Sequence, residues 1–201
     1  MEQPLYRKIS DGEGLGDDII RQLGNSVINN IVRSEQRHIY LVGENLIAKR
    51  RHQRVVEYEC DMGNYLSENG VRVPKMHGVI SSKLLQKLVD LSKVSEPDLH
   101  TISCDWFLVM QRINGEDLKR GLDTIPKEDI GEVIRQFKEQ ITKVLELGIN
   151  PYDSLGNEGF EMRNAIFDEK ERKLYLIDFE YWERVKWKHE LTYFYDLLKK
   201  A

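Results

Sequence analysis

The chain has 201 residues, of which 40% are hydrophobic and 32% are charged, and its formal net charge is −4 at pH 7. This composition suits a folded domain and excludes a disordered chain, and the mildly acidic balance gives no bulk attraction to nucleic acid or to anionic membranes. No apolar run approaches transmembrane length, so no membrane insertion is expected. Cys60 and Cys104 lie outside any CxxC spacing. Because no disulfide or zinc pattern is present, a cytoplasmic location is predicted.

The first part of the chain predicts a β-rich region. Residues 1–26 are weakly patterned, with a short helix predicted around Asp17–Leu23. Apolar stretches separated by turn residues then predict three strands in an antiparallel meander. The predicted strands are Val27–Arg33, Arg37–Val42 and Leu46–Arg50.

A helix is predicted next, because apolar residues recur at helical spacing over Val55–Leu66. Gly70 marks its end, since glycine tolerates the left-handed conformation that often follows a helix. Met76–Ile80 and the strongly apolar Trp106–Gln111 predict two further strands. Between them, Lys83–Val94 predicts an inserted amphipathic helix.

The second half predicts a mainly helical region. Asn114–Asp117 consists of turn residues that end the preceding strand, and Glu128–Leu147 carries a long apolar stripe that predicts a helix. Asn164–Asp168 and Leu174–Ile177 predict two short strands around a polar turn. An aromatic-rich helix is predicted at Lys188–Lys200. The fold class indicated by this order is α+β.

Four motifs, taken in this order, resemble the protein-kinase-like superfamily, and most closely its aminoglycoside phosphotransferase and choline kinase branch. The first is Leu46-Ile47-Ala48-Lys49, which is similar to the third-strand lysine motif of that superfamily. The others are the stretch from Glu59 to Pro74, the strand Phe107–Gln111 followed by Gly115–Leu118, and Asn164–Asp168 continuing to Leu176–Tyr181. The resemblance covers residues 27–182.

The resemblance implies a single kinase-like domain with two lobes. A β-rich N-terminal lobe is expected at residues 27–113, after an extension at residues 1–26. A reduced, mainly helical C-terminal lobe is expected at residues 114–201.

The resemblance also implies that the chain binds ATP and Mg²⁺. Lys49 is expected to contact the phosphates, and Glu59 is expected to orient Lys49 through an ion pair. Glu57 is the rival partner, but it lies two residues from Glu59 and so faces elsewhere on a helix.

Adenine and the metal are expected at two further places. The backbone of the hinge at Met110, Gln111 and Ile113 is expected to hold the adenine. Asn164 and Asp178 are the expected Mg²⁺ ligands, because this ion prefers carboxylate and amide oxygens beside phosphate oxygens.

The catalytic loop departs from the family pattern. Asp153 aligns with the family's catalytic aspartate and is the expected base for the acceptor hydroxyl, but Pro151 stands where histidine is usual. Asn164 follows Asp153 by 11 residues (164 − 153) rather than the usual five. The alternatives in the same loop are Asn157, Glu158 and Glu161.

Three functions remain open at the level of the sequence. The first is transfer of the γ-phosphate of MgATP to a hydroxyl on a small molecule, a glycan or a protein serine or threonine. The second, favoured by the altered catalytic loop, is a pseudokinase that binds nucleotide as a scaffold or sensor. The third is an α+β interaction domain without a nucleotide site. No nucleic-acid partner is expected, and a protein partner is left open.

Overall fold

The structure is a computed structural model that describes residues 15–33, 39–84, 105–118, 122–151, 162, 164–186 and 191–200. The contacts of the chain separate it into two units. The first contains the described residues up to Asn64 and those within Lys75–Arg112, and the second contains Tyr65–Pro74 and the described residues from Ile113 onward. The lobe boundaries that the resemblance implies stay predictions.

A four-stranded antiparallel sheet and two helices form the first unit. Its strands run in the order β1-β2-β4-β3, so β1 and β3 are the edges. The elements are α1 (Asp17–Arg33), β1 (Ile39–Val42), β2 (Leu46–Arg51), α2 (Gln53–Glu68), β3 (Met76–Ser81) and β4 (Trp106–Gln111). Since α2 continues to Glu68, its last turn belongs to the second unit.

Both faces of this sheet are covered. Four consecutive residues of β4, Phe107–Met110, are buried, which is the pattern of a strand that has packing on both sides. Ala48 and its neighbour Val109 face a core that includes Leu23 of α1. Ile47 and its partner Met110 face a second core that includes residues of α2.

The predicted strand at Val27–Arg33 is wrong, because these residues continue α1 to Arg33. The β-branched residues of this stretch favour a strand by propensity. In the structure, however, Ile20, Leu23 and Val27 are buried together at spacings of three and four, which is the period of one helix face. Tertiary packing therefore overrides propensity here, and the predicted meander lacks its first strand.

The helix predicted around Asp17–Leu23 is present but longer than predicted, since it ends at Arg33. Four other predictions for the first unit agree with the structure to within a few residues. The predicted strands at Leu46–Arg50, Met76–Ile80 and Trp106–Gln111 and the predicted helix over Val55–Leu66 are all present. Gly70, which was predicted to end this helix, follows α2 with a φ of 77°. This is the left-handed conformation that glycine often adopts after a helix. The inserted helix predicted at Lys83–Val94 lies, from residue 85 onward, outside the described residues.

The second unit combines a long helix with short strands. A three-stranded sheet has the order β5-β7-β8, and β6 pairs with β9. The elements are β5 (Glu116–Asp117), α3 (Ile130–Glu146), β6 (Ile149–Asn150), β7 (Ala165–Asp168), β8 (Lys173–Leu176), β9 (Glu183–Arg184) and α4 (Thr192–Lys200), with a 3-10 turn at Leu122–Thr124. The buried stripe of α3 includes Val133, Phe137, Ile141 and Val144.

The turn residues at Asn114–Asp117 do more than end a strand, since Glu116 and Asp117 form β5 against β7. Gly115 makes this approach feasible: a Cβ built there would lie 2.0 Å from the carbonyl oxygen of Phe167. A two-residue strand has no readable period, so its pairing could not be predicted from the pattern. Among the helices of the described part, none is long and apolar enough to cross a membrane.

Candidate functional site

A buried ion pair lies between the sheet and α2 in the first unit. The Nζ atom of Lys49 is 2.9 Å from Oε2 and 3.1 Å from Oε1 of Glu59. The two side chains are only 6% and 1% exposed. Burying two charges costs more free energy than the pair usually returns, so such a pair is weak support for stability and a stronger indication that the lysine is held in place for another purpose.

The local sequence explains why these two residues meet. Lys49 lies on β2 opposite Leu108, and Leu108 belongs to the sheet face that packs against α2. Glu59 is flanked by Val56 and Cys60, which form the part of α2 buried in that same core. The alternative partner Glu57 instead accepts a hydrogen bond from Gln53 at 2.9 Å.

Cys60 does not add a nucleophile to this region. Burial raises the pKa of its thiol to about 12, and the nearby Asp61 and Glu59 carboxylates add to the effect. Since the thiolate is the reactive form of cysteine, this side chain is inert near neutral pH and acts as a small core residue.

The predicted hinge is hydrogen-bonded at its start. Met110 is buried, and the backbone N–H of Gln111 donates to the carbonyl of Lys75 at 2.9 Å. The next residue, Arg112, donates its N–H to the carbonyl of Asn45 at 2.8 Å. Ile113 is half-buried and is the first residue of the second unit after this strand. A base bound here would therefore use groups of this segment other than these two N–H donors.

The hairpin β7–β8 of the second unit is flanked by two residues in the left-handed conformation. Asn164 precedes β7 with a φ of 55°, and Asp178 follows β8 with a φ of 61°. Such values are uncommon outside glycine, and asparagine and aspartate tolerate them best. The N–H of Ile177 donates to the carbonyl of Asn164 at 2.8 Å, which joins the two ends of the hairpin.

Oxygen donors gather at this end of the hairpin. A carboxylate oxygen of Asp178 lies within 4.8 Å of one of Glu180, so the two side chains are close enough to bind one cation together. The Nδ2 atom of Asn164 is buried and has no hydrogen-bond partner among the described residues. A rotation of that amide would exchange its nitrogen and oxygen. This donor set fits Mg²⁺, which takes hard oxygen ligands.

Sequence reasoning missed Glu180 as a site residue. The signal was present, because Glu180 stands two positions after Asp178 in the motif Ile177-Asp178-Phe179-Glu180. The structure thus brings Lys49 to Glu59 in one unit, and brings Asn164 and Asp178 to the two ends of one hairpin in the other.

The predicted base, Asp153, lies outside the described residues. The same holds for the alternatives in its loop, Asn157, Glu158 and Glu161. Their placement stays a prediction.

The likeness of this chain to known proteins is one of structure. No protein-family model matches the sequence, and no curated protein is significantly similar to it. Among solved structures, the kinase PK-1 of Cydia pomonella granulovirus matches with a TM-score of 0.48 and 14% sequence identity, over 76% of this chain and 50% of that chain. The chain therefore spans about half the length of that kinase, and a likeness this weak shows neither the activity nor the substrate of this chain.

Proposed function

We propose that this chain is an ATP-dependent phosphotransferase of two-lobed, kinase-like fold that moves the γ-phosphate of MgATP to a hydroxyl group. The observation that carries the proposal is the buried ion pair of Lys49 and Glu59. A lysine held by a carboxylate that is itself fixed on a helix is a directed cation, and phosphates are the anions that such a cation positions for transfer.

The hairpin supports the metal half of the proposal. Asp178, with the side chain of Asn164 and the nearby Glu180, would hold Mg²⁺, and the ion would neutralise phosphate charge that develops during transfer. We propose that Lys49 and Asp178 act on the same nucleotide. The backbone at Gln111–Ile113 would hold the adenine.

The acceptor half rests on the sequence. Asp153 is proposed to accept the proton of the acceptor hydroxyl, which belongs to a small molecule, a glycan or a protein serine or threonine. We also propose a cytoplasmic location, where ATP is available as the phosphate donor.

A pseudokinase is the second candidate function. The observation that favours it is the catalytic loop, in which Pro151 replaces the usual histidine and 11 residues (164 − 153) separate Asp153 from Asn164. Such a protein would bind nucleotide through the same residues and transfer phosphate slowly or not at all.

Nucleotide binding is tested first, by thermal unfolding with and without MgATP. A ligand present at 100 times its Kd stabilises the folded chain by about 2.7 kcal/mol, which raises the Tm of a chain of this size by about 5 to 11 °C. The shift is expected to disappear in Lys49→Ala and Asp178→Asn. It is expected to persist in the matched controls Lys75→Ala and Asp123→Asn, whose side chains are exposed.

Phosphate transfer is tested second, with radiolabelled ATP and a panel of hydroxyl acceptors that includes the chain itself. The proposed transferase labels at least one acceptor, and Asp153→Ala loses that labelling. Binding of MgATP without any labelling would assign the chain to the pseudokinase function. The absence of a thermal shift in the unaltered protein would exclude both functions and leave an interaction domain.

A further inference from the structure

A cluster of buried and partly buried hydrogen bonds in the second unit joins the segment after α2 to α3 and β8. The backbone N–H of Arg72 donates to Oε1 of Gln140 at 2.6 Å. Its Nη1 donates to Oε1 of Gln136 at 2.6 Å and to the carbonyl of Leu174 at 3.2 Å. Its carbonyl accepts the N–H of Leu176 at 3.0 Å. We call Arg72, Gln136 and Gln140 the Arg72 clamp.

The clamp occupies the outer edge of β8. This strand is an edge of its sheet, so the alternate N–H and C=O groups of Leu174 and Leu176 face away from β7. Gln136 accepts the N–H of Leu174 at 3.0 Å, and Arg72 takes the carbonyl of Leu174 and the N–H of Leu176. The side chains of Gln136 and Arg72 and the backbone carbonyl of Arg72 thus take the place of a neighbouring strand.

The glutamines of the clamp are buried and well paired. Gln136 is 6% exposed and Gln140 is 1% exposed. Besides its two bonds as an acceptor, Gln136 donates from Nε2 to Glu132 at 2.7 Å and to the carbonyl of Arg172 at 2.9 Å. Apolar residues would fill the same space without the need for partners, whereas a satisfied polar network fixes one arrangement of the elements that it joins.

Both ends of the clamp lead to residues of the proposed nucleotide site. Leu176, which the carbonyl of Arg72 holds, lies two residues before Asp178. Arg72 itself follows α2, and α2 is a continuous helix from Gln53 to Glu68 that carries Glu59. The last turn of α2, from Tyr65 to Glu68, lies in the same unit as the clamp, so a segment that is fixed directly after it restrains that end of the helix.

We propose that the Arg72 clamp is a positioning device that makes the placement of Asp178 depend on the end of the helix that carries Glu59. This inference rests on the proposed function. In Arg72→Met the guanidinium bonds to Gln136 and to the carbonyl of Leu174 are lost, and the backbone bonds remain. The strand that leads to Asp178 is then held less firmly. We therefore expect a larger loss of Mg²⁺ binding at Asp178 than of phosphate binding at Lys49.

The test measures ATP affinity by calorimetry with and without Mg²⁺, in the full chain. We expect Mg²⁺ to tighten ATP binding in the unaltered protein, and this gain to be about tenfold smaller in Arg72→Met. The metal-free affinity is expected to stay within about threefold, because it depends on Lys49. The matched control is Val144→Ala, which shortens a fully buried side chain of the same helix α3 and lowers stability while the three residues of the clamp stay unaltered.

The outcomes separate the inference from the function on which it rests. An unaltered protein that binds no ATP refutes the proposed function, and the role of the clamp with it. If that protein binds MgATP, an unchanged Mg²⁺ gain in Arg72→Met overturns the clamp alone. An equal loss in Val144→Ala also overturns it, because general destabilisation would then explain the effect. Partial recovery of the gain in Arg72→Lys, which keeps one donor, supports positioning.

Discussion

Substitutions in the buried ion pair can distinguish its contribution to the stability of the chain from its part in nucleotide binding. In Lys49→Met, the carboxylate of Glu59 stays 1% exposed and loses the cation at 2.9 Å. Breaking a buried pair from one side typically costs about 3 to 5 kcal/mol, because an uncompensated charge remains. For a chain of this size, that corresponds to a fall in Tm of about 6 to 20 °C.

The double variant Lys49→Met/Glu59→Leu is the decisive measurement. Replacing both members of a buried pair by apolar residues is often neutral or stabilising, so this variant is expected to melt above either single variant in circular dichroism. MgATP is nevertheless expected to give no thermal shift, since the directed cation is gone. Lys173→Met serves as the control, because Lys173 and Glu171 form an exposed pair, and exposed pairs contribute little to stability.

Two results would refute this reasoning. If the double variant is no more stable than Lys49→Met, the cost does not come from an unpaired charge on Glu59. If the double variant still shows the full MgATP shift, the ion pair has no part in nucleotide binding, and the observation on which the proposed function rests is lost.

Three further predictions test the fold around the site. Gly115→Ala is expected to lower stability by about 2 to 4 kcal/mol in denaturant titrations, because its Cβ would clash with the backbone of Phe167 at 2.0 Å. Replacing residues 83–104 by Asn-Gly is expected to preserve the MgATP shift. The N–H of Ser82 donates to the carbonyl of Asp105 at 3.1 Å, so a two-residue turn can join these two residues as a hairpin. Loss of the shift would show that the replaced residues take part in the site. Hydrogen bonds, mainly from Arg135, lower the pKa of Glu132 to about 2. The stability that this carboxylate contributes is therefore fully present above its ordinary pKa of 4.5 and is lost as the pH falls towards 2. Glu132→Gln should remove this pH dependence, and an NMR titration that gives Glu132 its ordinary pKa would contradict the prediction.

The sequence predicted best where a short pattern and a local rule agree. The helix over Val55–Leu66 has a clear period and a glycine at its end, and both are present in the structure. The strand at Trp106–Gln111 was evident as an apolar run. The pairing of Lys49 with Glu59 followed from the resemblance and from the face of the helix, and those two side chains are in contact.

Prediction failed where long-range packing decides the outcome. Val27–Arg33 has the composition of a strand, and only the joint burial of Ile20, Leu23 and Val27 shows that it belongs to a helix. The Arg72 clamp left no sequence signal either. Gln136 lies 64 residues from Arg72, and no local spacing rule links residues so far apart.

The Lys49–Glu59 pair and the Arg72 clamp are proposed to support different properties of the site, namely ATP binding and the response to Mg²⁺, so each property should be lost separately. The pair of Lys49 and Glu59 serves the phosphates, so its apolar replacement should give a stable protein that no longer binds ATP. The Arg72 clamp serves the strand before Asp178, so its disruption should give a protein that binds ATP but responds less to Mg²⁺. If both variants lost the same property to the same extent, the two networks would be a single structural unit, and neither could be assigned a separate part of the site.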